Sequence, residues 1–135
     1  MDNLDILTNR KKSTVTRTTR SSKIFKTIIY GIVEKKGANI VSLDLRKIPE
    51  AVCDFFIICE ASNNNQLKAI ADSVEEEVKK TCNESPYKHE GRQAQQWILI
   101  DYVNVVVHIM LPEPRKFYQL EEMWSDAVST DHNEK

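Results

Sequence analysis

Residues 97–110 have the sequence WILIDYVNVVVHIM, in which two strongly apolar runs flank a short link. Apolar and β-branched residues on both sides of a two-residue link predict a β-hairpin with Val103 and Asn104 at the turn. The opposed pairs would be Tyr102 with Val105, Asp101 with Val106, Ile100 with Val107, Leu99 with His108, Ile98 with Ile109, and Trp97 with Met110.

The two faces of this hairpin differ, because side chains alternate along a strand. One face is almost wholly apolar and predicts a seat for helices: Ile98, Ile100, Tyr102, Val105, Val107 and Ile109. The other is an apolar strip with one carboxylate and one imidazole: Trp97, Leu99, Asp101, Val106, His108 and Met110. This strip is either a binding surface or a core face on which Asp101 and His108 satisfy one another.

The segments before the hairpin predict a helix and two strands. Helical spacing runs from Ser22 to Gly37, and an alternating strand follows at 39–46. Residues 53–60 are apolar at both parities, which is typical of a central strand covered on both sides.

Two further helices complete the predicted fold. Asn63 with Gln66 resembles a capping box before a long amphipathic helix that ends near Cys82. A last helix begins at Pro112 to Pro114, with its apolar stripe at Phe117, Leu120, Trp124 and Ala127. The order of elements predicts a small layered α/β domain with a mixed five-stranded (or four-stranded) sheet and three helices.

Charge divides the chain into a basic N-terminal part and an acidic remainder. Residues 1–36 hold nine Lys/Arg and three Asp/Glu, a balance of +6, whereas the remainder holds ten and seventeen, a balance of −7. We predict a flexible basic arm over 1–22, a folded domain over 23–128 and a frayed tail over 129–135. The acidic body suits a basic partner and the arm suits phosphates, unless the charge serves solubility alone.

Composition excludes several classes of protein. With 41 % hydrophobic and 29 % charged residues, the chain has no apolar run near the roughly 20 residues of a membrane-spanning helix. The three cysteines have no CxxC spacing, so the chain is expected to be cytoplasmic, with neither disulfide framework nor metal. Cys53 and Cys59 would face one side and could join Cys82 and His89 as ligands, but buried structural thiols are the preferred interpretation.

Catalytic and cofactor patterns are weak. Asp101 and His108 offer an acid–base pair, yet no Ser or Cys nucleophile stands in an activating motif. The run Asn63–Asn65 favours helix capping over anion binding. No cofactor is expected, because none of the three glycines belongs to a phosphate-binding loop: Gly31, Gly37 and Gly91.

Five motifs occur in a specific order and spacing. They are DFFII at 54–58, QLKAIAD at 66–72, WILIDY at 97–102, VVVH at 105–108, and RKFYQLE at 115–121 followed by Trp124. Residues 24–127 therefore resemble the ribosomal silencing factor family, also called RsfS or Iojap. The arm before residue 22 lies outside the resemblance.

The resemblance implies a non-enzymatic repressor of translation. Such a factor binds the large ribosomal subunit through the fourteenth protein of that subunit and sterically blocks joining with the small subunit when nutrients are short. The implied fold resembles a minimal nucleotidyltransferase core, although this chain lacks a Gly-Ser loop followed by paired aspartates. The hairpin strip then becomes the expected protein-binding site: Trp97, Leu99, Asp101, Tyr102, His108 and Met110.

Each residue of that site has an expected role. Trp97 and Met110 would be buried anchors with Leu99 packed beside them. Asp101 would pair with a basic side chain of the partner, and Tyr102 and His108 would fix the hairpin or add contacts.

Other functions and departures from the family pattern stay open. A nucleotidyltransferase-like, nucleotide-binding enzyme would lose activity when Asp44 or Asp101 is changed, and a ribosome assembly factor is a third class. The free protein would mask its apolar strip by forming a homodimer. The family usually has Tyr at Phe55, where Phe loses one potential hydrogen bond, and commonly Gly at Val103, where Val predicts a wider turn. Glu90 and Arg115 are candidates for salt bridges or partner contacts.

The basic arm generates the first prediction. If it touches ribosomal RNA, deletion of residues 1–22 weakens binding to large subunits and flattens its salt dependence, because fewer counterions are released. Co-sedimentation at several salt concentrations measures both effects. An unchanged salt slope contradicts RNA contact by the arm.

Overall fold

The structure, a computed structural model, describes residues 22–93 and 96–133. The predicted arm, apart from Ser22, lies outside these residues. In chain order the elements are α1 (Lys23–Glu34), β1 (Ala38–Asp44), β2 (Phe55–Glu60), α2 (Asn64–Cys82), β3 (Lys88–Glu90), β4 (Trp97–Asp101), β5 (Val105–Met110), α3 (Pro112–Tyr118), α4 (Leu120–Met123) and β6 (Val128–Asp131).

The strands form one mixed sheet with the order β3-β4-β5-β2-β1-β6. Strands β2 and β5 pair in parallel, and every other neighbouring pair is antiparallel. The α/β class and the mixed sheet are confirmed. Among the described residues the sheet has six strands rather than the five or four expected.

Strand β2 is the centre of the sheet and is buried on both faces, as its two-sided apolar sequence predicts. Phe55, Ile57 and Cys59 face one apolar cluster, whereas Ile58 faces the other. Helices α1 and α2 cover the first cluster. The second is covered by the 45–53 loop and by the segment that follows β5.

The start and end of α2 agree with the sequence. The Asn63 side chain accepts a hydrogen bond from the Gln66 backbone N–H at 2.8 Å, and the Gln66 side chain accepts one from the Ser62 N–H at 2.7 Å. The helix stops at Cys82, because Asn83 takes a left-handed conformation with φ 56°. Capping is therefore what the Asn63 side chain does.

The C-terminal region differs from prediction. The third helix is divided, because Gln119 has φ 47° and interrupts it between Tyr118 and Leu120. The predicted frayed tail is wrong for residues 129–133. Strand β6 pairs with β1, and the His132 N–H donates to the Ile40 carbonyl at 2.9 Å. These hydrogen bonds order a segment whose own sequence is short and mostly polar.

The hairpin turn keeps its two-residue link, so the expectation of a wider turn is wrong. Val103 adopts φ 74°, and the Asn104 N–H donates to the Tyr102 carbonyl at 2.9 Å, which makes a γ-turn around Val103. A β-branched residue is strained at positive φ. Val103, where the family commonly has Gly, therefore produces local backbone strain and leaves the register of the hairpin unchanged.

We predict that Val103→Gly stabilises the protein by about 1 kcal/mol, because it relieves a positive-φ strain of roughly 1–3 kcal/mol against the greater entropy of unfolded Gly. Thermal unfolding should show a rise in Tm of about 4 °C. Val103→Ala is the matched control, since it keeps a Cβ at the same φ and should gain less. A lower Tm for the Gly variant than for the wild type contradicts this account.

Candidate protein-binding site

The hairpin has the register that its sequence predicts. The ladder runs from Trp97 opposite Met110 to Asp101 opposite Val106, and the Tyr102 N–H donates to the Val105 carbonyl at 2.9 Å. One face enters the cluster under α1 and α2, and the other enters the second cluster. The predicted separation of the two faces is confirmed.

Burial divides the six predicted binding residues into two groups. Trp97 and Leu99 are half-buried and keep accessible surface. The second group is buried: Met110 is 0 % exposed, Asp101 2 %, His108 4 % and Tyr102 6 %. Direct contact between these four side chains and a partner does not fit this conformation, because the C-terminal segment and the helices already cover them.

Asp101 and His108 each form a hydrogen bond with another residue of the hairpin. The Asp101 Oδ1 accepts a hydrogen bond from the Val103 N–H at 2.7 Å and so holds the strained turn. The Nδ1 of His108 accepts one from the Nε1–H of Trp97 at 3.1 Å. These contacts give both polar groups structural roles on the hairpin.

Tyr102 lies on the helix-covered face. Burial raises the pKa of its phenol, and its hydroxyl has no hydrogen-bond partner among the described residues. The ring is a core side chain of the hairpin, consistent with the expectation that Tyr102 fixes it.

His108 lies between two aromatic side chains in the second cluster. Its ring centroid is 4.6 Å from that of Phe56 and 5.7 Å from that of Trp97. Burial lowers the pKa of His108 to about 4, because the charged imidazolium would lose its hydration. The ring is therefore neutral at pH 7.

Aromatic contacts continue from Trp97 to the surface. The Trp97 ring centroid is 4.9 Å from that of Tyr118, which is 5.0 Å from that of Phe117. Tyr118 is 47 % exposed and Phe117 79 % exposed. The prediction that Phe117 faces the core is wrong, because the break at Gln119 changes the helical phase before Leu120.

An open cleft of about 410 Å³ lies beside these rings. Gly91 forms part of its wall at φ 92°, where an added Cβ would collide with the Trp97 carbonyl oxygen. Glu90 contributes a carboxylate that is 3.4 Å from Lys88 Nζ. The cleft is lined by residues of β3, β4, α3 and the connection between β3 and β4: Glu90, Gly91, Gln96, Trp97, Leu99, Pro114 and Tyr118.

Arg115 fastens α3 to the rest of the domain. It is 9 % exposed, and its guanidinium donates to the Asn39 carbonyl at 2.6 Å. The same group lies 3.1 Å from Glu121 and 3.5 Å from Glu60. Of the two roles expected for Arg115, the structure gives it the salt bridge. By fixing α3, Arg115 also fixes where Tyr118 meets Trp97.

The cysteines do not form a ligand set. Cys53 belongs to the second cluster and Cys59 to the first, so the expectation that they face one side is wrong. Cys53 precedes the strand and is not part of its alternation. No group of three or more His, Cys, Asp or Glu side chains in residues 22–93 and 96–133 could hold a metal ion. Over the same residues, no helix has the length and apolar character needed to cross a membrane.

Comparison with known proteins shows the family to which the chain belongs. The model of the family described as "Ribosomal silencing factor during starvation" matches residues 18–135. The chain belongs to this family. The match extends beyond residues 24–127, over which the sequence motifs lie.

Relatives agree with this assignment. Ribosomal silencing factor RsfS of Halalkalibacterium halodurans is 31 % identical over 114 residues, which cover 82 % of this chain and 93 % of the relative. A crystal structure of a Chromobacterium violaceum protein is 33 % identical with a TM-score of 0.72, covering 76 % of this chain and 84 % of that one. The mouse protein named "Mitochondrial assembly of ribosomal large subunit protein 1" is 35 % identical over 74 residues, 53 % of this chain and 32 % of the relative.

Membership of this family gives the chain a regulatory, non-enzymatic role in ribosome silencing. The exposed aromatic surface of the structure is the cleft lined by Trp97, Leu99 and Tyr118. Sequence reasoning identified Trp97 and Leu99 in this surface. It missed the exposure of Phe117, because no Gly or Pro marks the helix break at Gln119.

We predict that Arg115→Met destabilises the domain by about 2 kcal/mol, because it leaves the Asn39 carbonyl and two partly exposed carboxylates without their cation. Lys116→Met, at the exposed neighbouring position, should change stability by less than about 0.5 kcal/mol. Urea unfolding of both variants measures the difference. Equal effects of the two substitutions would show that Arg115 does not fasten α3.

Proposed function

We propose that this chain binds the large ribosomal subunit in the cytoplasm through the fourteenth protein of that subunit, and that it sterically blocks joining with the small subunit. The exposed aromatic cleft carries the proposal. Trp97, Leu99 and Tyr118 form one continuous surface there, and Phe117 extends it. Aromatic side chains that are already packed against one another lose little entropy when a partner covers them.

Charge supports a basic partner for this surface. The chain after residue 36 has seventeen acidic and ten basic residues, and Glu90 lies in the cleft itself. Acidic groups around apolar anchors steer a positively charged protein and fix its orientation. Ribosomal proteins are basic, so a protein component of the subunit fits this chemistry.

The buried members of the predicted site hold the partly exposed members in place. Met110 and His108 lie opposite the half-buried Trp97 and Leu99 on the neighbouring strand, while Asp101 holds the turn that joins the two strands. In this proposal Trp97 and Leu99 touch the partner. Tyr102 and the other three buried residues set the position of those two.

A role in ribosome maturation is the second candidate. It is favoured by the mouse relative, whose name refers to assembly of the mitochondrial large ribosomal subunit. Both candidates require binding to the large subunit, and only the first requires loss of joined ribosomes. Homodimerisation of the free protein through the cleft would compete with either one.

We predict that Phe117→Ala combined with Tyr118→Ala weakens binding to isolated large subunits by at least about tenfold, which corresponds to about 1.4 kcal/mol. Both side chains are exposed, so the fold should survive. Tyr30→Ala is the matched control, because Tyr30 is a 53 % exposed aromatic on α1, across the sheet from the cleft. Co-sedimentation with large subunits, followed by addition of small subunits, measures binding and joining.

The same assay separates the claims. No binding of the wild type at physiological salt refutes the ribosomal partner, and binding without loss of joined ribosomes refutes the steric block. A folded Trp97→Ala variant that binds normally refutes Trp97 as an anchor. Direct binding to the isolated fourteenth protein tests which component of the subunit is recognised.

A further inference from the structure

The buried imidazole of His108 is hydrogen-bonded to Trp97, whose aromatic side chain forms one wall of the cleft. The Nε1–H of Trp97 donates to Nδ1 of His108 at 3.1 Å, and the two ring centroids are 5.7 Å apart. Trp97 is half-buried and lines the cleft, whereas His108 is 4 % exposed. The contact therefore joins the core of the second cluster to its surface.

The chemistry of the two rings fixes the proton on His108. An indole N–H is only a donor, so the nitrogen that faces Trp97 must be the acceptor. The ring proton then lies on Nε2, which is buried with no hydrogen-bond partner among the described residues. A second proton would place two N–H donors against each other at the Nδ1 position.

We propose that His108 is a positioning residue for partner binding: its neutral ring accepts the Trp97 indole N–H and holds the indole in the orientation that forms the cleft wall. This inference rests on the proposed function. It deepens that proposal, because it makes binding depend on the charge state of a residue that the partner does not touch.

Packing supports a specific orientation rather than general adhesion. Phe56 lies 4.6 Å from the other side of the imidazole, and Tyr118 lies 4.9 Å from the other side of the indole, as ring-centroid distances. These ring contacts limit where the imidazole and the indole can lie. The hydrogen bond from the indole N–H to Nδ1 then fixes the rotation of the Trp97 ring. Loss of the bond would let the indole turn within the cleft.

Several other ionisable groups lie on the same face of the sheet as His108. From the sheet they are Glu60, Asp101, Lys88 and Glu90. From the covering segments they are Cys53, Arg115, Tyr118 and Glu121. Glu60 and Glu121 pair with Arg115, Lys88 pairs with Glu90, and Asp101 holds the turn. Burial alone accounts for the lowered pKa of His108, about 4.

The first test follows the Trp97 indole N–H in the free protein by NMR as the pH is lowered from 7.5 to about 3, past the pKa of His108 of about 4. We expect its resonance to move with the same midpoint as the His108 ring, while the Trp124 indole serves as the internal control. Because the folded pKa of His108 lies below its unfolded value of about 6.5, stability should be full above pH 6.5 and fall as the pH drops toward 4. A Trp97 resonance that ignores the titration of His108 overturns the proposal.

The second test uses two variants at pH 7.5. His108→Leu removes the acceptor and should shift the Trp97 indole resonance and weaken large-subunit binding about fivefold, the value of one ordinary hydrogen bond. His108→Asn offers an amide oxygen near the Nδ1 position and should restore binding to within about twofold, without the pH step. Circular dichroism and Tm verify that both variants fold.

The outcomes separate this inference from the proposed function. A folded His108→Leu protein with the wild-type indole resonance, or with wild-type binding, overturns the positioning role. If the wild type fails to bind large subunits, the proposed function and the binding consequence fail together. The indole titration, which needs no partner and no variant, then still decides whether His108 holds Trp97.

Discussion

The parallel pairing of β2 with β5 is the constraint on which the rest of the structure depends. Each residue of β2 from Phe55 to Glu60 lies beside one of β5 from Val105 to Met110, and both strands are covered on both faces. Parallel strands buried in this way need a connecting helix across one face, which α2 supplies. The opposite face then needs a cover of its own. The 45–53 loop and the chain after β5 provide that cover.

Because the C-terminal segment covers one face of the sheet, the exposed part of the hairpin strip is small. Most of the apolar strip on β4 and β5 is used to bind the protein's own C-terminal segment, and only Trp97 and Leu99 remain partly accessible. The segment in turn adds Tyr118 and Phe117 beside them. Of the two interpretations of the strip, burial of Asp101, Val106, His108 and Met110 supports the core face, and the binding surface stays a prediction for Trp97 and Leu99. The buried part of the strip positions its exposed part.

The limits of sequence reasoning follow from how far each signal acts. The hairpin register was predictable because period-two alternation and a short link act locally, and a slip by one residue would turn every side chain to the wrong face. The segment that covers the strip was not predictable from the sequence. The left-handed conformation of Gln119 has no sequence signal such as Gly, and strand β6 has too few apolar residues to be recognised. Both features arise from contacts with β1 and the second cluster. The buried state of Asp101, His108 and Met110 depends on the same contacts.

Strand β6 has a consequence for how the protein behaves when it is handled or truncated. It occupies the edge of β1, and the Ile40 backbone N–H donates to the Asn133 side chain at 2.7 Å. An uncovered β1 would present a row of unpaired amide and carbonyl groups, which is a template for strand pairing between molecules. Residues 128–133 thus protect the edge of β1 from pairing with another molecule. A fusion partner placed directly after residue 133 would disturb the pairing of β6 with β1, whereas one attached before α1 would leave that pairing intact.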